Sequence, residues 1–464
     1  MRLSRRQRSR GNKRSGKPDA EATRTSESSV AGSAVAAKPS SEQSLLWTVT
    51  IALFAAGAVM VYSASSASSA LTTDGDPLGY LKRYLVLGGF GLLLMRYTSR
   101  MNLNRLREIT PVLLGVAFVL LVLVLVPGFG VEINGAKRWL GAGMARFQPS
   151  EVMKLVLVLY AAMLIAQDPT RVRSLKTMSN PLFFVIGAAV LLIALQPDLG
   201  TDLVICATMG ILLIAAGARL SDLAKVGAVL AVIVIIFSVA EPYRMARITT
   251  FINPGHDPTG IGFQSEQARI AIGSGGLVGR GLGESVQKVF YLPEAHTDMI
   301  LAVIGEELGL LGITGLVMLY LALIVAGLRA AKNSRDAYAR LLGIGITSMI
   351  ACQAILNLFA VLGMAPLTGV PLPFISYGGM NLIVMLGGMG LLVNVASGKH
   401  NARVRVIPGG ASDEHRRIQA RQRERRTATA GAPPLSDRRS RGHYESRNRG
   451  RGNGRTRRPG PGSR

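Results

Sequence analysis

Ten apolar runs, each able to cross ~30 Å of hydrocarbon as a helix rising ~1.5 Å per residue, recur between residues 45 and 397. They fall at 45–64, 80–98, 109–127, 149–167, 181–197, 199–217, 224–242, 299–328, 341–362 and 380–397. Lipid offers the backbone no partners, so apolar runs of this length read as spanning helices. The predicted fold class is an all-α polytopic integral membrane protein of ten transmembrane helices. The fifth and sixth runs are separated only by QPDLGT (196–201), and the eighth is long enough to tilt or to overrun the bilayer. The first follows a highly charged segment and is too long for a signal-peptide core, so it reads as an uncleaved anchor.

Charge then divides the chain. Of 53 Lys and Arg residues, 10 lie in 1–44 and 19 in 399–464. Both segments are rich in Arg, Ser, Gly and Pro and too poor in apolar residues to build a core, so they read as disordered basic tails flanking a membrane domain at 45–398. The short loops repeat the bias. Arg96, Arg100, Arg105 and Arg107 follow the second run; Arg171, Arg173 and Lys176 the fourth; Arg219 and Lys225 the sixth; Arg329, Lys332, Arg335 and Arg340 the eighth. Basic loops stay inside, which places both termini in the cytoplasm and the loops 128–148, 196–201, 243–298 and 363–379 outside. The long one, 243–298, lies between spans seven and eight; it carries five basic and five acidic residues and is large enough to be functional.

A pI near 10.9 raises the question of nucleic acid, and RRIQARQRERR (416–426) would hold phosphates non-specifically. Basic flanks lying against anionic membrane lipid account for it better, so no specific nucleic-acid partner is inferred. Cys206 and Cys352 both fall inside apolar runs, which argues against a disulfide framework, and no ligand cluster suggests a metal site.

Four polar clusters interrupt the apolar pattern on the side read as external. In GAKRWLGAGMARFQPSEVMK (135–154), Lys137 and Arg138 beside Trp139 suit an interfacial anchor, Pro149 suits a helix start, and Glu151 and Lys154 share a helix face three residues apart. A buried ion pair there either braces helices or meets an anionic substrate. In QPDLGT, Pro197 breaks one helix and Asp198 caps the next, a role as good as catalysis on sequence grounds. The prolines and glycines of GMAPLTGVPLPFISYGG (363–379) preclude a regular helix.

The fourth cluster is YLPEAHTDMILAVIGEELG (291–309), which puts Glu294, His296, Asp298, Glu306 and Glu307 in or beside an apolar run. An ionised side chain costs about 2.5–3.5 kcal/mol at mid-bilayer on insertion scales, so these residues need a reason. Asp298 and Glu306 are eight residues apart, about 12 Å along a straight helix, too far for a two-carboxylate retaining mechanism that needs ~5 Å. Asp298 would act alone as a base, or serve as a first-turn carboxylate on the helix dipole. Glu306 and Glu307 fit bracing of the bundle, and His296 fits either an assistant or a hydrogen-bonding spectator. Upstream, GSGGLVGRGLGESVQK (273–288) lacks GxxxxGK[ST] and is no phosphate loop, though Arg280 and Lys288 could bind phosphate by side chain.

These four motifs, in this order on ten runs, resemble the SEDS family (shape, elongation, division and sporulation) of membrane peptidoglycan glycosyltransferases that polymerise lipid II. The resemblance covers residues 45–398, and PEAHTD with Gly305–Glu306–Glu307 looks more like the division branch, FtsW, than the elongation branch, RodA. The long basic tails are similar to those of actinobacterial members. Met380 and Asn381 stand where the family usually has small serines, a departure bearing on local packing.

The resemblance implies that Asp298 is the catalytic acid/base group, that Glu151, Lys154 and Asp198 matter in a central cavity, and that Arg138 and Trp139 lie near the lipid-linked substrate. The resemblance also implies a bacterial plasma membrane at the division septum, where inverting transfer during septal wall synthesis would release undecaprenyl pyrophosphate. Arg138, Lys154, Arg247, Arg280 and Lys288 are the cations available to its charge. A divalent cation, Mg or Mn, would act at the same place, although the sequence offers no ligand set. The implied partner is a class B penicillin-binding transpeptidase, with other division proteins such as FtsZ reached through the tails. Two other classes fit: a lipid II flippase using the same polar residues, which would need a polar path to both faces, and a non-enzymatic division scaffold.

Overall fold

The computed structural model describes residues 40–72, 76–133, 136–141, 146–173, 179–240, 249, 251, 261–289 and 292–398. Residues 1–39 and 399–464 of the two predicted tails, and Arg247, lie outside the described residues.

Each predicted run coincides with a helix. In chain order these are α1 (Ser41–Thr72), α2 (Gly79–Thr98), α3 (Leu103–Leu125), α4 (Pro149–Gln167), α5 (Phe184–Ala194), α6 (Leu199–Ala215) and α7 (Leu220–Ala240). After α8 (Ile261–Gly275), within the predicted 243–298 loop, come α9 (Ile300–Asn333), α10 (Ala337–Val361) and α11 (Gly379–Ala396). Six of them, α1, α3, α4, α9, α10 and α11, are long and apolar enough to cross a membrane, while Pro181–Ala194 and Leu199–Ala215 are apolar but shorter. The 20 residues of α2 carry Lys82, Arg83 and Arg96, which lowers its hydropathy. One departure from all-α is a two-stranded antiparallel hairpin, β1 (Gly130–Ile133) with β2 (Ala136–Leu140), where Val131 faces Trp139 and a bulge follows Val131. The backbone groups of Leu140 and Phe147 exchange hydrogen bonds of 2.8 Å, extending this flap.

α4, α10 and α11 are the most enclosed of the apolar helices. Around them, α2 packs on α11, α3 on α4, α6 on α10, and α9 on both α10 and α1. On the perimeter, Val86, Phe90 and Leu93 of α2, Val112, Val116 and Val119 of α3, and Met318 and Leu321 of α9 are exposed. An apolar belt of this extent is tolerable facing lipid. Small residues allow close helix contact: Thr98 Oγ1 donates to the Gly387 carbonyl at 3.0 Å, and Asn394 Nδ2 to the Thr98 and Met101 carbonyls at 2.9 and 2.7 Å.

At the other end of the bundle the connecting segments meet. Tyr377 N–H donates to the His296 carbonyl at 2.9 Å, and Arg138 Nε to the Gln196 carbonyl at 3.2 Å. The irregular segment between α10 and α11 is held there by buried side-chain donors. Asn357 Nδ2 reaches the Val370 carbonyl at 2.9 Å, Gln353 Nε2 the Pro371 carbonyl at 2.8 Å, and the Tyr320 and Tyr84 hydroxyls the Pro373 and Phe374 carbonyls. Non-helical backbone survives beside a membrane only when protein satisfies it in this way.

The eighth run forms a helix of 34 residues with a break inside it. Gly309 has φ 66° and ψ −163°, which breaks α9 into a first section, to Leu308, that is buried from Ile300 to Glu307, and a longer second one. The backbone groups released by the break are taken up by the glycine-rich stretch after α8. Arg280 and Gly281 N–H donate to the Glu306 and Glu307 carbonyls at 3.0 Å each; Leu310 and Leu311 N–H donate to the Gly276 and Leu277 carbonyls at 2.9 and 3.1 Å. Only glycine reaches such φ without strain, and a Cβ on Gly309 would stand 2.6 Å from the Leu277 oxygen.

Candidate functional site

The QPD turn and the start of α4 build one wall. Pro197 ends α5, and Asp198 caps α6: its carboxylate accepts from Thr201 N–H at 3.3 Å, Thr201 Oγ1 at 2.9 Å, Ser150 Oγ at 3.0 Å and Gln148 Nε2 at 2.9 Å. Arg138, carried in by β2, donates to the carbonyls of Gln196 and Pro197 and places Nη1 3.9 Å from Asp198 Oδ1. Its neighbour Trp139 faces the same space. Capping and site geometry coincide in Asp198.

Behind this wall lies a buried polar chain. Pro149 starts α4, so Glu151 and Lys154 fall one turn apart, with Lys154 Nζ 2.8 Å from Glu151 Oε2 and both side chains no more than 5% exposed. Lys154 also donates to Gln353 Oε1 at 3.0 Å, and Asn381 Nδ2 donates to Glu151 Oε2 at 2.8 Å. Arg138, Trp139, Gln148, Glu151, Asp198 and Thr201 line a partly open cavity of about 100 Å³, together with Gly369, Val370 and Pro371.

Asp298 stands at its edge. The helix cap is Met299, so Asp298 precedes α9 rather than capping it. Its carbonyl is held by Asn357 Nδ2 at 2.8 Å and its Oδ1 accepts from Thr297 Oγ1 at 3.1 Å. Asp298 is half-buried, and a Cβ on Gly369, which lines the cavity, would lie 3.9 Å from Asp298 Oδ2. His296 packs between Tyr80 and Tyr377, at ring-centre distances of 4.1 and 5.7 Å. Burial lowers its pKa below the ordinary 6.5, with Glu294 pulling the other way. Glu294 is exposed, has φ 53°, and accepts from Thr297 Oγ1 at 3.1 Å.

Arg280 and Lys288 are brought elsewhere, to the break in α9. Lys288 Nζ lies 2.8 Å from Glu307 Oε1, 3.2 Å from Ser63 Oγ and 2.7 Å from the Gly283 carbonyl. Ser63 Oγ donates to both Glu307 oxygens at 2.6 and 2.7 Å. Arg280 Nη1 is 3.4 Å from Glu306 Oε1, while Ser285 Oγ and the N–H groups of Val286 and Gln287 donate to the same carboxylate. Glu306 and Glu307 thus staple 276–289 to α9 and α1, and the structure does not bring these two cations to the cavity. Among the described residues no three His, Cys, Asp or Glu side chains converge to hold a metal ion.

Sequence reasoning passed over Gln148, Ser150, Thr201, Gln353 and Gly369 as site residues and read Asn381 as a departure in packing alone. The first two flank Pro149 inside a motif already singled out, and Gln353 is an amide in the middle of an apolar run, which is itself a signal.

A model of the FtsW/RodA/SpoVE family of cell cycle proteins matches residues 43–401. The chain belongs to that family. It is 39% identical over 359 residues to stage V sporulation protein E of Bacillus subtilis, covering 77% of this chain and 98% of the other. It is 40% identical over 354 residues to the probable peptidoglycan glycosyltransferase FtsW of Trichlorobacter lovleyi, covering 76% and 93%. Among solved structures it is similar to a chain from a peptidoglycan synthase complex that coordinates polymerization and crosslinking, with TM-score 0.64, 31% identity and coverage of 76% and 96%. The rod shape determining protein RodA of Thermus thermophilus gives TM-score 0.55 at 30% identity, covering 76% and 95%. With its six long apolar helices, this member of the family is a multi-pass membrane protein.

Proposed function

We propose that this chain is a peptidoglycan glycosyltransferase that polymerises lipid II at the septum, with ten spans, both termini cytoplasmic and the cavity end facing outward. The observation that carries the reading is the Asp298 carboxylate beside Gly369, at the rim of a polar cavity, in a chain whose relatives carry that activity in their names.

Asp298 takes the proton from the acceptor sugar hydroxyl of lipid II as the hydroxyl oxygen bonds to the anomeric carbon of the growing strand. The bond from that carbon to the pyrophosphate oxygen breaks from the opposite face, undecaprenyl pyrophosphate departs, and the configuration inverts. Thr297 Oγ1 and the Asn357 amide orient the Asp298 residue for this task. Arg138 is the cation lining the cavity, and its guanidinium is pre-aimed by two carbonyls and Asp198, so it needs little reorganisation to meet developing charge. The site's polar residues gather at one end of the bundle, which suits chemistry there better than passage through. A class B penicillin-binding transpeptidase is the proposed partner, supported by the likeness to a chain of a synthase complex. FtsZ contact through the tails follows by analogy with division proteins.

A positioned base contributes about 10²–10⁴-fold, so Asp298→Asn in the purified full chain should lower lipid II polymerisation by at least about 100-fold while the protein still enters the membrane. Unchanged glycan synthesis by that variant would remove Asp298 from the mechanism.

A further inference from the structure

Asn381 lies in the first turn of α11, 5% exposed, and meets a residue 230 positions away. A carboxylate only accepts, so the amide nitrogen is the group that faces Glu151. Glu151 Oε2 receives both Asn381 Nδ2 and Lys154 Nζ, each at 2.8 Å. Lys154 is in turn held by Gln353 Oε1 at 3.0 Å, whose own amide is tied to the Pro371 carbonyl at 2.8 Å. Three helices and the irregular segment are thereby joined in one chain of hydrogen bonds. Both strong donors fall on the same oxygen. Glu151 nonetheless lines the cavity, and among the described residues no hydrogen bond is made to its Oε1.

A carboxylate held by one lysine alone can swing until both oxygens share the ammonium. A second donor from a different helix removes that freedom. We propose that Asn381 is a positioning residue, which pins Glu151 Oε2 so that Oε1 is presented to the cavity as an acceptor for a sugar hydroxyl or amide N–H. Lys154 balances the charge of Glu151, and Arg138 sits by that of Asp198, so these walls offer a matched set of donors and acceptors to an uncharged saccharide group. The proposal rests on the glycosyltransferase reading for the identity of its ligand.

The test uses the full chain in detergent micelles with lipid II. Asn381→Leu keeps the branched outline of the side chain and removes the donor. Hydrogen bonds to charged groups are worth enough that kcat/KM should fall about tenfold or more. Asn381→Asp supplies a switch: at high pH two carboxylates oppose each other, and their repulsion is relieved when one takes up a proton as the pH falls. Activity of this variant should therefore return as pH is lowered, in a profile the parent lacks, because protonated Asp donates where the amide did. Recovery in the same polypeptide excludes misfolding as the cause.

Parental kcat/KM in Asn381→Leu, or an Asn381→Asp loss independent of pH, would overturn the proposal. Should the parent itself make no polymer, the glycosyltransferase reading fails alone. Asn381 is then judged on lipid II binding, followed by the fluorescence of Trp139 in a Trp47→Phe background, where it is the remaining tryptophan of two. Binding weakened tenfold by Asn381→Leu upholds the positioning role, and unaltered binding ends it.

Discussion

Replacing Lys288 by methionine should strip the stapled segment of its main anchor. The Lys288 and Glu307 side chains are 5% and 0% exposed, so neither charge can turn to water when its partner is removed. Methionine fills the space of the lysine stem but leaves Glu307 with the Ser63 hydroxyl as its remaining described partner. Breaking one side of a buried pair costs about 3–5 kcal/mol, a loss of about 6–20 °C in melting temperature by the scaling of ordinary domains. Glu307→Gln should be similarly costly, because it strands a buried ammonium. The double variant should recover about 2–4 kcal/mol of the summed losses, since two neutral groups replace two charges. Thermal unfolding in micelles, with limited proteolysis inside 276–289, reads both effects. If the two single losses simply add in the double variant, the pair is uncoupled and the staple argument is wrong.

Gly369→Ala should strain a backbone at φ 69° by about 1–2 kcal/mol and set a methyl 3.9 Å from Asp298 Oδ2, lowering kcat/KM for lipid II; Gly217→Ala, at φ 92° with open space around it, should show the strain in its melting temperature and spare the kinetics. His296 is held neutral by burial, so its stabilising contribution is full above its ordinary value of 6.5 and is lost as pH falls toward the lowered folded value. Melting temperature should thus drop on acidification through that window, and His296→Phe, which keeps a ring between Tyr80 and Tyr377, should flatten the drop. A His296→Phe curve parallel to the parent's would place the sensitivity elsewhere.

The helices were legible because apolar length is a local property, and Pro149 and Asp198 announced their helix starts by residue type alone. The hairpin was missed: its strands, Gly130–Ile133 and Ala136–Leu140, are short and lie in a segment whose aromatic residue already had an interfacial explanation. The break in α9 was hidden because GEELGLLG reads as continuous helix by composition, and what permits the break is a glycine-rich partner some thirty residues earlier. Arg280 and Lys288 looked like phosphate ligands for the same reason; only the folded chain brings Glu306 and Glu307 to them. Asn381, read as a departure in packing, turned out to share an oxygen of Glu151 with Lys154 across two helices, a relation no spacing rule encodes.

The mended break at Gly309 also bears on assembly. Four backbone bonds join 276–281 to 306–311, so neither stretch is complete without the other. During insertion, the newly made end of α8 must wait, bare, for a helix still to be translated, and that helix enters with a gap it cannot close alone. A one-residue deletion between Gly276 and Gly281 would put every peptide group out of step at once, whereas the same deletion in a solvent-facing turn would be absorbed.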